Sequence, residues 1–196
     1  MTERAVLETY QEFLDRMTDE LLDVAAEKAG SGLAGTAVRK SGELAAKKIK
    51  GQMQTQGRVL VEYTAARVAG EADLSEYREQ FLETNPVYVR YDGDDEEELE
   101  DHLLGHFDRA AADLEPLVAS ETDDFWTALT EEYTRQEADA IVERHFTQAE
   151  TFKRYREDIF SSGRISNLVI DVLETGEGRF RDHLADELDD AYGPGD

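Results

Sequence analysis

Hydrophobic residues recur at helical spacing along most of the chain. In residues 3–28 the apolar positions alternate steps of three and four, and they are Leu7, Tyr10, Leu14, Met17, Leu21 and Val24. A repeat of this kind predicts an amphipathic helix with a coiled-coil-like seam. Such a seam favours self-association through helices, which makes a homo-oligomer an expectation from the sequence.

Helical patterns also cover residues 36–69 and 94–119. The glycine-rich stretch GSGLAG at 30–35 precedes the first of them, and clustered glycines there predict a hinge or a tight turn. The second pattern begins with an acidic first turn, which the helix dipole favours. Its apolar stripe consists of Leu99, Leu103, Phe107, Ala110, Leu114 and Leu117.

The second half of the chain predicts a very long helix over 123–160 and shorter helical segments after Gly163. At 1.5 Å per residue the long helix would span about 57 Å, whereas a compact globule of this size is roughly 40 Å across. We therefore expect an elongated molecule, or a kink near Ala138. Gly176 and Gly178 predict a break before the last amphipathic helix.

One segment departs from the helical pattern. The run at 87–91 reads VYVRY and lies between Asn85-Pro86 and Asp92-Gly93, which predicts a short strand-like piece. The chain as a whole therefore predicts an all-α fold: an elongated bundle of about five to six helices with one strand-like segment near Val87. We expect a single helical domain over residues 1–196 with a frayed tail at 193–196.

Charge adds an expectation about the environment. The chain has 196 residues, with 46 Asp plus Glu against 21 Lys plus Arg, and a net charge of −25. The basic residues are 15 Arg and only 6 Lys, a balance typical of proteins from a salt-rich cytoplasm, where screening reduces carboxylate repulsion. The sequence shows neither a signal-peptide pattern nor an 18-residue apolar stretch, so we expect a soluble, cytoplasmic protein without membrane insertion.

The basic residues are concentrated in one segment. Residues 30–70 hold seven basic and two acidic residues, a local net charge of +5. On a continuous helix six of these cations fall within a half-circle, and they are Arg39, Lys40, Lys47, Lys48, Lys50 and Arg58. This face predicts contact with a protein partner or an acidic helix, or with DNA or RNA. Binding to an anionic membrane surface is a less favoured interpretation of this face, because the apolar stripe of the helix is small.

Catalytic chemistry has little support in the sequence. The chain has no cysteine and no G-x-S-x-G, and its G-x-G-x-x-G follows a helix rather than a strand. His102 and His106 lie one helical turn apart, with Glu98 a turn earlier, so a metal-assisted hydrolase is a weaker alternative. His145 lies in an apolar stripe, so we predict that it is a core histidine with its hydrogen bonds satisfied.

These observations favour a non-enzymatic helical scaffold or regulatory protein that uses no cofactor. It would contact its partner through residues 39–58 and would self-associate through helices. A DNA- or RNA-associated factor that uses the same face is the alternative.

Overall fold

The computed structural model describes the backbone of residues 2–30 and 36–193, and the side chains of residues 5–28 and 47–193. Within these ranges the chain is all-helical, and a short 3-10 turn at Tyr88–Arg90 lies between the third and fourth helices. The α-helices are α1 (Thr2–Gly30), α2 (Thr36–Val68), α3 (Ser75–Thr84), α4 (Glu96–Ala119), α5 (Phe125–Glu132), α6 (Arg135–His145), α7 (Ala149–Arg154), α8 (Arg156–Ile159) and α9 (Gly163–Tyr192).

Helix α1 lies at the centre of the packing and runs antiparallel to both α2 and α9. Lys50 of α2 pairs with Asp19, and Arg16 pairs with Glu187 of α9 at 2.6 Å. All six residues of the predicted seam are buried within this chain. The seam is therefore an intramolecular packing surface, and the pattern that favoured self-association is accounted for by the chain's own core.

Helix α9 continues through the glycines that predicted a break. A Cβ atom at Gly176 would lie 3.2 Å from the Cα of Leu21 and 2.5 Å from its Cδ2, so glycine permits the close approach of α9 to α1. The predicted break at Gly176 is wrong because this residue serves helix–helix contact instead of helix termination.

An aromatic stack joins three other helices. Phe107 of α4 lies between Tyr63 of α2 and Phe81 of α3, with ring centroids 4.6 and 4.2 Å apart. The Tyr63 hydroxyl donates to Asp108 at 2.7 Å, so its polar end is also satisfied. The apolar stripe predicted for α4 is thus confirmed as a core face.

The long helix predicted over 123–160 is instead four helices, α5 to α8. Helix α6 begins with a capping box, in which the Thr134 hydroxyl accepts from the Glu137 N–H and Glu137 accepts from the Thr134 N–H at 2.8 Å. This capping stops α5 at Glu132, ahead of the expected kink at Ala138. Nine α-helices in the described ranges replace the predicted five to six, and the length argument for an elongated molecule no longer applies.

A buried carboxylate marks a further break in this stretch. Glu177 of α9 is 1% exposed and accepts hydrogen bonds from the backbone N–H groups of Gln148 and Ala149, where α7 begins. Burial raises the pKa of Glu177 to about 7, although both hydrogen bonds oppose this shift. The break between α6 and α7 therefore depends on the side chain of Glu177, which lies 29 residues after Gln148 in the sequence.

The strand predicted near Val87 is wrong. The Asn85 side chain accepts from the backbone N–H groups of Val87 at 2.9 Å and Tyr88 at 3.2 Å, which starts the 3-10 turn. An asparagine that caps the next two amides favours a turn over an extended strand. The alternation of apolar residues at 87–91 was thus a weaker signal than the Asn-Pro pair before it.

Two predictions lie outside the described residues. The hinge at 30–35 does so except for Gly30, which ends α1, and the tail at 193–196 does so except for Gly193. Among the helices that the structure describes, none has the length and hydropathy needed to cross a membrane. Most of the buried apolar side chains of α1 to α9 form one contiguous hydrophobic cluster.

Candidate partner-binding site

Helix α2 carries the predicted basic face, and part of that face is open to solvent. Lys47, Lys48 and Arg58 are exposed, and none of them forms an ion pair with any described side chain. The side chains of Arg39 and Lys40 lie outside the described residues. The structure therefore places three of the six predicted contact residues on an accessible surface.

Other cations of the basic segment are paired within the chain. Lys50 forms an ion pair with Asp19 of α1. Arg67, near the end of α2, pairs with Glu115 and lies over the Tyr63 ring at 5.5 Å. Intramolecular charge neutralisation thus explains Lys50 and Arg67, and it leaves the exposed cations of α2 unexplained.

Two of the exposed cations, Lys47 and Arg58, belong to a stripe with helix-packing periodicity. Lys47, Gly51, Gln54 and Arg58 follow one another at steps of four, three and four, which places them on one face of α2. We call these four residues the basic stripe. A Cβ atom at Gly51 would meet nothing within 4 Å, whereas one at Gly57 would lie 2.6 Å from Leu14. A side chain at Gly57 would therefore displace Leu14 of α1, whereas the described chain leaves the space at Gly51 open.

Most arginines elsewhere on the surface are engaged. Arg179 binds Glu27 through two hydrogen bonds of 3.0 and 2.7 Å, and Arg135 bridges Asp139 and Asp189. Arg109, Arg156 and Arg164 are exposed and lack an ion pair to any side chain in the described part, but they lie on separate helices. The basic stripe is thus distinguished by unpaired cations that repeat along one helix face.

The histidine pair of α4 lacks a third metal ligand. The rings of His102 and His106 lie 4.6 Å apart, but Glu98 is bound to Arg154 at 2.6 Å. Burial, and then the charges of His106 and Arg154, lower the pKa of His102 to about 4. The described side chains contain no group of three His, Cys, Asp or Glu residues that could hold a metal ion. The geometry gives the hydrolase alternative no additional support.

His145 belongs to a buried hydrogen-bond network that the sequence did not reveal in full. Its Nδ1 lies 2.5 Å from the Tyr10 hydroxyl, and its Nε2 lies 2.9 Å from Asp113, which also receives two hydrogen bonds from Arg144. The prediction of a satisfied core histidine is confirmed. Tyr10 and Asp113 were missed as its partners, because they lie on α1 and α4, far away in sequence.

Known proteins offer no independent guide to this site. Comparison of the chain with protein-family models, with curated proteins and with solved structures finds no match. The functional proposal therefore rests on the charges, exposures and contacts of the described residues.

Proposed function

We propose that the protein is a non-enzymatic helical scaffold or regulatory protein of a salt-rich cytoplasm that binds a partner protein through the basic stripe. The observation that carries this proposal is the exposure of Lys47, Gly51 and Arg58 on one face of α2. Neither of the two cations forms an ion pair with any described side chain. In a chain of net charge −25, unpaired cations at helical spacing are suited to contact an external anionic surface.

The composition of the basic stripe favours a helix as the contacting element. A glycine inside a helix costs about 1 kcal/mol relative to alanine, and it lets another backbone approach closely. At Gly51 nothing in the described chain uses that space. Lys47 and Arg58 on either side of the glycine would pair with carboxylates, and Gln54 would supply hydrogen bonds. An acidic amphipathic helix of a partner protein satisfies all of these groups.

Nucleic acid is the competing partner. Its binding strength depends on the number of phosphates neutralised, with a salt slope of about −0.9 per phosphate contact on duplex DNA. The three exposed cations among the described side chains of α2 give few contacts, and Glu62 is exposed one turn after Arg58. In molar salt such a small set gives weak binding, so we favour the protein partner.

Cross-linking from the basic stripe tests the proposal. A photoreactive residue at Gly51 is expected to give one discrete protein adduct in native cells, because this position lies between the two binding cations. Lys47→Glu together with Arg58→Glu should reduce that adduct about tenfold or more, since each lost charged contact is worth about 1 kcal/mol. Arg156→Glu with Arg164→Glu is the matched control, because it changes the net charge equally on other helices. Mass spectrometry identifies the adduct.

Two outcomes would overturn the proposal. Equal loss of the adduct in both charge-reversal variants would assign it to net charge rather than to the stripe. Tight binding of duplex or single-stranded nucleic acid in molar KCl, lost only in the Lys47 and Arg58 variant, would assign the stripe to nucleic acid.

Self-association is proposed at the start of α9, because the α1 seam is occupied. Ile165 and Leu168 are 54% and 51% exposed and lie three residues apart on one face. We expect a concentration-dependent dimer by light scattering in high salt, and Ile165→Glu with Leu168→Glu should shift the mass to monomer. Val89→Glu is the control, since Val89 is a similarly exposed apolar residue at 49% on another element. A monomer at every concentration of the wild type would remove this part of the proposal.

A further inference from the structure

A cavity of about 110 Å³ lies beside the His145 network, where α1, α2 and α4 meet the segment that joins α6 to α7. Part of its wall is apolar and includes Leu14, Met53, Leu60 and Phe107, all of which are buried. This volume is smaller than the apolar cavity of about 150 Å³ that holds benzene, so the enclosed space suits the compact apolar part of a small ligand whose polar end stays outside.

The outer part of the cavity is cationic. Arg109 and Arg144 both line it, and both are exposed. The charge of Arg144 is matched by Asp113 through two hydrogen bonds of 3.0 and 2.9 Å. Arg109 donates from Nε to the carbonyl of Gly105 at 3.1 Å, and its terminal nitrogens form no hydrogen bond or ion pair to any described residue. One uncompensated positive charge therefore remains beside an apolar chamber.

The nearby titratable groups leave this charge in place. Partial burial, and then the charges of Arg109 and Arg154, lower the pKa of His106, so its ring is neutral at pH 7. Burial opposes ionisation of Asp113, but hydrogen bonds from His145 and Arg144 outweigh it and hold the pKa of this carboxyl below its ordinary value. Arg144 and Asp113 thus remain a neutral pair, and Arg109 supplies the net charge.

A hydrogen-bonded polar network also lines the cavity, and its members are Tyr10, Asp113 and His145. A carboxylate can only accept hydrogen bonds, so Asp113 fixes the proton of His145 on Nε2 and leaves Nδ1 to accept from Tyr10. Burial, and then the charge of Asp113, raise the pKa of the Tyr10 hydroxyl, which keeps it protonated. Tyr10, His145 and Asp113 therefore satisfy one another within the protein.

We propose that this cavity binds a small organic monocarboxylate, with the apolar body packed against Met53 and Leu60 and the carboxylate held by Arg109. A guanidinium presents paired N–H groups that match a carboxylate, which distinguishes this ligand class from neutral molecules of the same shape. The site is separate from the basic stripe and does not depend on the proposed partner.

Titration with isovalerate and with its neutral analogue isovaleramide tests the proposal on the full chain. Isovalerate is expected to shift the backbone amide signals of cavity-lining residues in a saturable manner by two-dimensional NMR. The amide analogue should bind about tenfold more weakly or worse, because it lacks the charge-assisted hydrogen bonds to Arg109.

Variants separate recognition from folding. Arg109→Gln should weaken isovalerate binding about tenfold while leaving the spectrum of the unliganded protein largely unchanged, since Arg109 is exposed. Arg156→Gln is the control, as an exposed arginine far along the chain, and Lys47→Glu with Arg58→Glu should also leave isovalerate binding unchanged. Equal affinity for acid and amide, equal effects of Arg109→Gln and Arg156→Gln, or no saturable shift in the cavity would each overturn the assignment.

Discussion

Replacing Gly176 with alanine is expected to lower the free energy of unfolding by about 1 kcal/mol, whereas the same replacement at Gly178 should raise it by about 1 kcal/mol. Both glycines lie inside α9, two residues apart, so their helix propensities are matched. A new methyl group at Gly176 would lie 3.2 Å from the Cα of Leu21 and 2.5 Å from its Cδ2, whereas one at Gly178 would meet nothing within 4 Å.

The difference between the two variants measures the closeness of α1 and α9. The Leu21 side chain can rotate away from the added methyl group, but its Cα cannot move unless the two helices separate. Such overpacking costs about 1–3 kcal/mol and exceeds the gain in helix propensity. Urea denaturation of both variants at one salt concentration checks the prediction. Equal stabilisation by both alanines would show that α9 does not approach α1 at Gly176.

Glu177→Gln is expected to stabilise the protein at pH 8 by up to about 3 kcal/mol, with little effect at pH 4. Burial raises the pKa of Glu177 from its ordinary 4.5 to about 7 in the folded chain. The folded state therefore holds the proton more tightly than the unfolded state does. The stability that this proton contributes is fully present below pH 4.5 and is lost as the pH rises through about 7.

Glutamine retains a carbonyl oxygen that accepts from Gln148 and Ala149, and it cannot ionise. The difference in unfolding free energy between Glu177→Gln and wild type should thus grow between pH 4.5 and 7 and then level off. Arg181 and Glu174 act on Glu177 from the same helix in opposite directions and are unchanged in the variant. Glu157→Gln is the control, because Glu157 is exposed. A constant difference across this pH range would contradict a buried, protonated Glu177.

The sequence predicted the helices with a sustained apolar period and missed the breaks between short ones. Helices α1, α2 and α4 were predictable from their apolar stripes, because one face of each helix packs against the core along most of its length. The start of α6 was readable locally, since Thr134 and Glu137 stand at capping-box spacing, but the apolar pattern ran across it. The cap on α7 was not readable, because Glu177 comes from another helix.

The candidate sites also differ in how far local sequence patterns could predict them. The cationic face of α2 follows from residue spacing alone, so Lys47, Lys48 and Arg58 were predicted as contact residues. The pairing of Lys50 with Asp19 depends on how α1 and α2 align, which no local pattern states. The cavity was inaccessible to sequence reasoning, because helices α1, α2, α3, α4, α6 and α7 all contribute residues to its wall.

The antiparallel pairing of α1 with α9 also determines when the fold can be completed. During synthesis α1 emerges before α2 and can form a hairpin with it, but the surface of α1 that meets α9 has no partner until α9 is made. Leu21 reaches Gly176, and Arg16 reaches Glu187, only at that point. Helix α1 therefore awaits α9, and the synthesis of α9 is the step that closes the core around α1.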